Sequence, residues 1–225
     1  MRDLGPNIRL LSYPLSLFGM KVGRQVTLFR LSSGKLVIHS TAPFPEADVN
    51  AIREFGEPTW LLDATNFHDT LTRPGVAAFP DLPYLVPDRF PLSGKVKSQP
   101  LEDVPAEWEG ELDVIKIDGM PSINEHVFFH RKSKTLVVAD LLFNLPDSVG
   151  AFTLGFLRLI SGIKQHPGNS RMFRLAIQDR DAFESSLQKL LALDFAQIIV
   201  AHGEPIAVDA KSTLARVFRE LGYAV

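Results

Sequence analysis

The chain has 225 residues, of which 45% are hydrophobic, and a formal net charge of −2. Its length allows a full core in one large domain or two small ones. The charge argues against a nucleic-acid surface, and the lack of cysteine excludes disulfides and thiolate metal ligands. Because no apolar run approaches the roughly 18 residues of a membrane span, the sequence predicts a cytoplasmic protein with no membrane partner.

The first quarter of the chain predicts a hairpin, a helix and a strand. β-Rich runs at 25–31 and 35–40 flank a short turn that contains glycine, which is typical of a hairpin. Residues 46–55 place their apolar side chains on one side, and Gly56 follows them as a helix stop. A short buried strand is expected at 59–62.

Proline dominates the next part of the chain. The segment 73–110 contains seven of the sixteen prolines, and proline fixes φ and removes a backbone donor, so we expect no long regular element there. The β-branched content of 112–117 indicates a strand. A second hairpin is predicted from the runs 126–130 and 135–139.

The final third is more helical. Apolar residues follow helical spacing over 152–163 and over 183–191. A buried strand at 197–200 comes next, and an amphipathic helix over 214–221 ends the chain. The sequence therefore changes from mainly β to mainly α character along its length.

No short internal repeat or low-complexity linker divides the chain. We therefore predict a single domain over 1–225, in which 1–24 form an N-terminal extension. Hairpins and helices occur in each half, so the expected fold class is α+β, with the sheets buried between helices.

Three predicted strands end in residues that can bind a metal. The first leads to His68 and Asp69, the second ends at Asp140, and the third ends at His202. Sites are usually assembled where strand ends and loops meet on a rigid scaffold. Two neutral imidazoles and one carboxylate form a workable ligand set for zinc, iron or manganese.

The order of these motifs resembles the metallo-β-lactamase superfamily and, more narrowly, a diverged branch known as the DUF4336 family. The stretches that carry the resemblance are Asn66-Phe67-His68, Gly119-Met120-Pro121, Asn124 to His130, Ala139 to Asn144 and Val200 to Gly203. The likeness spans roughly residues 25–205. It implies a four-layer αββα sandwich with the site at one edge of the paired sheets.

The chain departs from the superfamily in its ligands. The four metal-binding positions of the first motif, His-x-His-x-Asp-His, fall on Asn66, His68, Thr70 and Leu71. Only His68 is retained there, and the next superfamily histidine would fall near 118–121, where there is none. The bridging aspartate matches Asp140 and the final histidine matches His202. The resemblance thus implies a reduced site for one metal ion rather than two.

Two main functions remain open from the sequence, and a third possibility is that Arg73, Arg171 and Arg174 shape a pocket for an acidic small molecule without catalysis. One is a metal-dependent hydrolase in which Asp69 handles a proton, Asn66, Asp118 or Glu125 add binding groups, and a small molecule is the ligand. If Glu125 points inward, its expected partner is Asn66, Arg73 or the metal. The other is a metal-free, non-catalytic binding or scaffold protein that retains the fold. The oligomeric state is left open.

Overall fold

The computed structural model describes residues 1–17, 20–92, 95–145, 155 and 167–225. Apart from residue 155, the helix predicted over 152–163 lies outside these residues. The strands are β1 (Arg2–Gly5), β2 (Ile8–Tyr13), β3 (Ser16–Leu17), β4 (Met20–Lys21), β5 (Arg24–Arg30), β6 (Lys35–His39), β7 (Glu57–Leu62), β8 (Tyr84–Val86), β9 (Gln99–Pro100), β10 (Leu112–Lys116), β11 (His126–His130), β12 (Thr135–Val138) and β13 (Gln197–Val200). The helices are α1 (Glu46–Phe55), α2 (Thr72–Ala78), α3 (Arg171–Leu175), α4 (Arg180–Ala192) and α5 (Ala210–Glu220), with a 3₁₀ turn at Ala106–Trp108.

The first sheet has seven strands in the order β1-β2-β5-β6-β7-β8-β9. The pairs from β1 to β6 are antiparallel, and those from β6 to β9 are parallel. Residues 1–24, expected as an N-terminal extension, contribute β1 and β2 to this sheet. The small pair β3–β4 forms a separate two-stranded sheet.

The second sheet has four strands in the order β10-β11-β12-β13. The hairpin β11–β12 is antiparallel, as the sequence predicts, and β13 pairs in parallel with β12. Because β12 and β13 run in the same direction, the residues that follow them meet at one edge of the sheet. This arrangement places Asp140 and His202 on adjacent strand ends.

Three apolar layers define the sandwich. The faces that the two sheets turn towards each other pack Phe29, Trp60, Phe128 and Ile199 together. The outer face of the first sheet packs against α1 through Ile52. Helices α4 and α5 cover the outer face of the second sheet, where Phe183 and Phe218 are buried. The fold is therefore a four-layer αββα sandwich of the α+β class, as predicted.

Local sequence explains most helix boundaries. Helix α1 occupies the predicted range and ends at Gly56, whose N–H donates to the Ile52 carbonyl. Helix α4 begins after Asp179, whose carboxylate accepts the Ala182 N–H at 3.0 Å, a typical N-cap. Helix α2 contains Pro74 in its first turn, where the missing N–H costs little. Among the described helices, none is long and apolar enough to cross a membrane.

Candidate metal centre

The structure brings together three residues that are distant in the chain. His68 lies in the loop between β7 and α2, Asp140 follows β12 by two residues, and His202 follows β13 by two residues. One ligand atom from each lies within 4.8 Å of the others. Among the described residues, no other group of three or more histidine or acidic side chains meets in this way. We call these three residues the histidine–aspartate cluster.

Distances within the cluster are too long for direct hydrogen bonds. His68 Nε2 lies 3.5 Å from Asp140 Oδ2, and His202 Nε2 lies 3.7 Å from Asp140 Oδ1, whereas N–H···O bonds are usually shorter than about 3.2 Å. Zinc bound tetrahedrally at about 2.0–2.1 Å holds its ligand atoms about 3.3 Å apart. The two distances from Asp140 are close to that separation, and all three ligand atoms lie within 4.8 Å of one another.

One ring nitrogen of His202 is fixed by a backbone contact. Its Nδ1 lies 2.7 Å from the carbonyl oxygen of Gly23, which directly precedes β5 of the first sheet. A carbonyl oxygen only accepts hydrogen bonds, so Nδ1 carries the proton. Burial, with His68 and Arg24 adding to it, lowers the pKa of His202 to about 4. The neutral ring therefore turns the lone pair of Nε2 towards Asp140.

The surroundings of the two imidazoles hold them in place. The Phe143 ring stacks on the His202 ring at a centroid distance of 5.2 Å. The His68 ring meets the other imidazole edge to face at 5.4 Å. Neither ring nitrogen of His68 has a hydrogen-bond partner within the described residues. Both imidazoles are almost fully buried, so these free nitrogens need another partner.

Asp140 remains ionised at neutral pH. Burial acts to raise its pKa, but the neighbouring His68, His202 and Arg24 outweigh that effect and hold the pKa at about 2. Its Oδ2 is buried and accepts no hydrogen bond from any described residue. A buried carboxylate oxygen without a donor is costly, which makes this oxygen a candidate ligand atom.

Glu125 is fully buried directly behind Asp140. Its carboxylate accepts the N–H groups of Ala139, Asp140 and Leu141 at 2.9, 3.0 and 3.2 Å. The expected partners, Asn66, Arg73 or a metal, were therefore wrong, because the carboxylate is turned towards the backbone of the loop after β12. Burial, together with the charge of Asp140, raises the pKa of Glu125 to about 8.

A second buried polar cluster lies beside the first. Asp63, Arg24, Thr41 and Tyr84 form it, and we call it the Asp63 cluster. Arg24 Nη2 contacts Asp63 Oδ1 at 3.0 Å and the His68 carbonyl oxygen at 3.4 Å. Sequence reasoning missed Arg24 and Asp63 because no motif marks them, although a charged residue within a predicted buried strand region was a usable signal.

The other predicted site residues lie around the cluster or away from it. Asn66 uses its amide nitrogen to hold the Asp88 carbonyl at 3.2 Å, and its Oδ1 has no partner among the described residues. Asp69 is half-buried beside His68. Asp118 is half-exposed, with its carboxylate 3.9 Å from Lys189 Nζ on α4. It is not among the residues that meet in the cluster.

His39, at the end of β6, lies between the two sheets. Its ring contacts Phe128 edge to face at 4.8 Å, and its Nε2 has no partner in the described part of the chain. Burial lowers its pKa to about 3, and the nearby charge of Arg24 adds to this. His39 is therefore a neutral core residue, and it lies close enough to the site for the charge of Arg24 to lower its pKa.

Solved structures of known proteins share this fold. DIM-1 metallo-β-lactamase matches with a TM-score of 0.64 and 17% identity, covering 98% of this chain and 96% of that one. The chain has the metallo-β-lactamase fold. VMB-1 matches with a TM-score of 0.66 and 12% identity, over 98% and 96% of the two chains. A metallo-β-lactamase from Pontibacter korlensis matches with a TM-score of 0.59 and 13% identity, over 96% and 97%.

Sequence comparison gives no finer assignment. No protein-family model matches the chain, and no curated protein matches it. The structural likeness covers almost the whole chain, beyond the range of roughly 25–205 expected from the motifs. At these identities the likeness shows the fold alone, so the narrower resemblance to the DUF4336 family stays a prediction.

Proposed function

We propose that the protein is a metal-dependent hydrolase with a reduced site that holds one zinc, iron or manganese ion between His68, Asp140 and His202. One observation supports this most strongly. The unprotonated Nε2 of His202 and the ionised Oδ1 of Asp140 face each other at 3.7 Å in a buried site. Two acceptors in such a position repel each other unless a cation lies between them.

The charge of the surroundings supports the same proposal. Asp140 is negative at neutral pH and His202 is neutral. Arg24 is the buried cation nearby, and its Nη2 already forms an ion pair with Asp63 at 3.0 Å. Within the described residues, Asp140 forms no ion pair at hydrogen-bonding distance, since its nearest basic nitrogens are His68 Nε2 at 3.5 Å and His202 Nε2 at 3.7 Å, and its negative charge is only partly balanced. A cation bound there would balance it.

When bound, such an ion supplies Lewis acidity, which makes water acidic enough to act as a nucleophile near neutral pH. The protein residues supply orientation: Gly23 fixes the tautomer of His202, and Phe143 fixes its ring plane. Asp69 is our choice for the proton acceptor, since it is partly exposed and adjoins His68. The reaction class is hydrolysis of an ester, amide, thioester or phosphodiester in a small molecule.

The test is metal analysis of protein purified without an affinity tag and then incubated with zinc, iron or manganese. We expect about one equivalent in the wild type and none in His202→Ala. The matched control is His130→Gln, which changes another fully buried histidine, on β11, that lies outside the cluster. Hydrolysis of simple ester, thioester and phosphodiester substrates should follow metal content and fall in Asp69→Asn.

The second candidate is a metal-free binding or scaffold protein. The first superfamily motif favours it, since Leu71 places an apolar side chain at a ligand position and the Asn66 amide nitrogen binds the Asp88 carbonyl. Wild-type protein that holds no metal after incubation with zinc, iron or manganese would favour this function over the hydrolase.

A further inference from the structure

The carboxylate of Glu125 has an unusual environment. It is fully buried at the residue before β11, and all three of its hydrogen bonds come from successive backbone amides. It forms no ion pair with any described residue. Burying a carboxylate without a cation carries a large desolvation cost, which backbone donors offset only in part. An apolar side chain would avoid that cost but would leave three backbone N–H groups without an acceptor, so the position requires the two oxygens of this side chain.

The three donors are the backbone N–H groups of Asp140, a candidate metal ligand, and of its two neighbours, Ala139 and Leu141. Glu125 therefore holds the backbone on both sides of Asp140. Both carboxylate oxygens take part, Oε1 with two amides and Oε2 with one. This two-point attachment limits rotation of the loop after β12. The backbone of Asp140 is therefore fixed relative to β11.

We propose that Glu125 is a positioning residue for the candidate metal centre. Its three hydrogen bonds hold the backbone of Asp140 so that the Asp140 carboxylate is aimed at the two imidazoles. This inference rests on the proposed function. Residues that orient metal ligands through hydrogen bonds typically change metal affinity by about 10–100-fold when they are removed.

The test uses two variants and a matched control. In Glu125→Gln the amide oxygen still accepts two N–H groups, but its NH₂ group faces the Asp140 N–H, donor against donor. Glu125→Asp keeps the charge and loses the reach to all three amides. The control is Glu111→Gln, whose carboxylate also accepts backbone and hydroxyl donors, from Ser32. Glu111 lies beside the opposite end of β11.

The readout is the zinc dissociation constant, measured by competition with a chromophoric chelator, together with thermal unfolding of the metal-free proteins. We expect the constant to rise 10–100-fold in both Glu125 variants and to stay unchanged in the control. Cooperative unfolding of the metal-free variants shows that the fold is intact. A wild-type constant in either folded Glu125 variant overturns this role alone. If the wild type binds none of zinc, iron and manganese, the proposed function is overturned, and the role of Glu125 with it.

Discussion

Two buried polar clusters lie side by side in this protein and differ in how well their atoms are satisfied. In the Asp63 cluster, Oδ1 of Asp63 accepts from Arg24 and from the Thr41 N–H, at 3.0 and 3.1 Å. Its Oδ2 accepts the hydroxyls of Thr41 and Tyr84, both at 2.7 Å. Each carboxylate oxygen thus has two donors, and the cluster joins the ends of β6, β7 and β8.

The histidine–aspartate cluster has the opposite character. Oδ2 of Asp140 and both ring nitrogens of His68 lack hydrogen-bond partners among the described residues, although both residues are buried. A satisfied cluster stabilises the fold, whereas an unsatisfied one costs free energy and persists when another task requires it. The contrast teaches that burial alone does not separate structural polar residues from functional ones.

Acidification should cause the largest loss of stability. His39 and His202 have folded pKa values of about 3 and 4, against about 6.5 when unfolded. Protons therefore favour the unfolded chain. Stability is full above pH 6.5 and falls by up to about 1.4 kcal/mol per pH unit for each ring between pH 6.5 and about 4. Urea unfolding at a series of pH values measures this loss. His39→Gln should make the slope shallower, and an unchanged slope would contradict the assignment.

Removing the cation of the Asp63 cluster should cost almost as much. Arg24→Met leaves the fully buried Asp63 carboxylate without its ion-pair partner. We expect the free energy of unfolding to fall by roughly 3–5 kcal/mol, as measured by urea denaturation at pH 7. The exposed pair Arg131–Asp113 is the control, since Arg131→Met should cost less than about 1 kcal/mol. Equal losses in the two variants would contradict the structural role of Arg24.

The next prediction compares alanine substitutions at two glycines, Gly203 beside His202 and the distant Gly34. Gly203 has a φ of +107°, and a Cβ there would overlap the Asn144 carbonyl oxygen. Gly34 has a φ of +89° with open space around it. Gly34→Ala should cost about 1 kcal/mol through backbone strain alone. Gly203→Ala should cost about 1–3 kcal/mol more, because overpacking adds to the strain. Thermal unfolding of the two variants checks the difference, and similar midpoints would show that the loop adapts.

The smallest effect concerns the charge of Asp140. Because its neighbours hold the pKa of Asp140 at about 2, below the usual value, the folded protein favours the ionised carboxylate. Asp140→Asn loses that contribution, but the new NH₂ group can donate to an imidazole nitrogen and offsets part of it. We expect metal binding to be lost and the metal-free protein to lose roughly 1–2 kcal/mol, measured by urea denaturation at pH 7. The matched Asp63→Asn should lose more, since both oxygens of Asp63 already have donors. Equal losses in the two variants would show that the two clusters play the same structural role.

Local sequence patterns predicted the elements well. Helix α1, the hairpin β11–β12 and strand β13 all lie where periodicity and turn residues placed them, because these signals depend on neighbours in the chain. The N-terminal strands β1 and β2 were not predicted. β2 pairs with β5, and β1 pairs with β2. This pairing determines that they are strands, and short irregular apolar runs do not reveal it.

The site was predictable in part for a similar reason. His68, Asp140 and His202 each follow an apolar strand, which is a local pattern that the sequence displays. The partners of Glu125 and the role of Arg24 depend on which backbone atoms of other strands lie opposite them. That information is tertiary, and no spacing within the chain encodes it.

The contact between His202 Nδ1 and the Gly23 carbonyl joins residues 179 positions apart, and it links opposite sheets of the sandwich. Long-range contacts of this kind form late, after loop-closure entropy has been overcome. The ring acquires its tautomer and orientation only once the two sheets have docked. If the proposed site binds zinc, a stopped-flow refolding experiment with a zinc-sensitive dye would therefore show zinc binding only after the two sheets have docked.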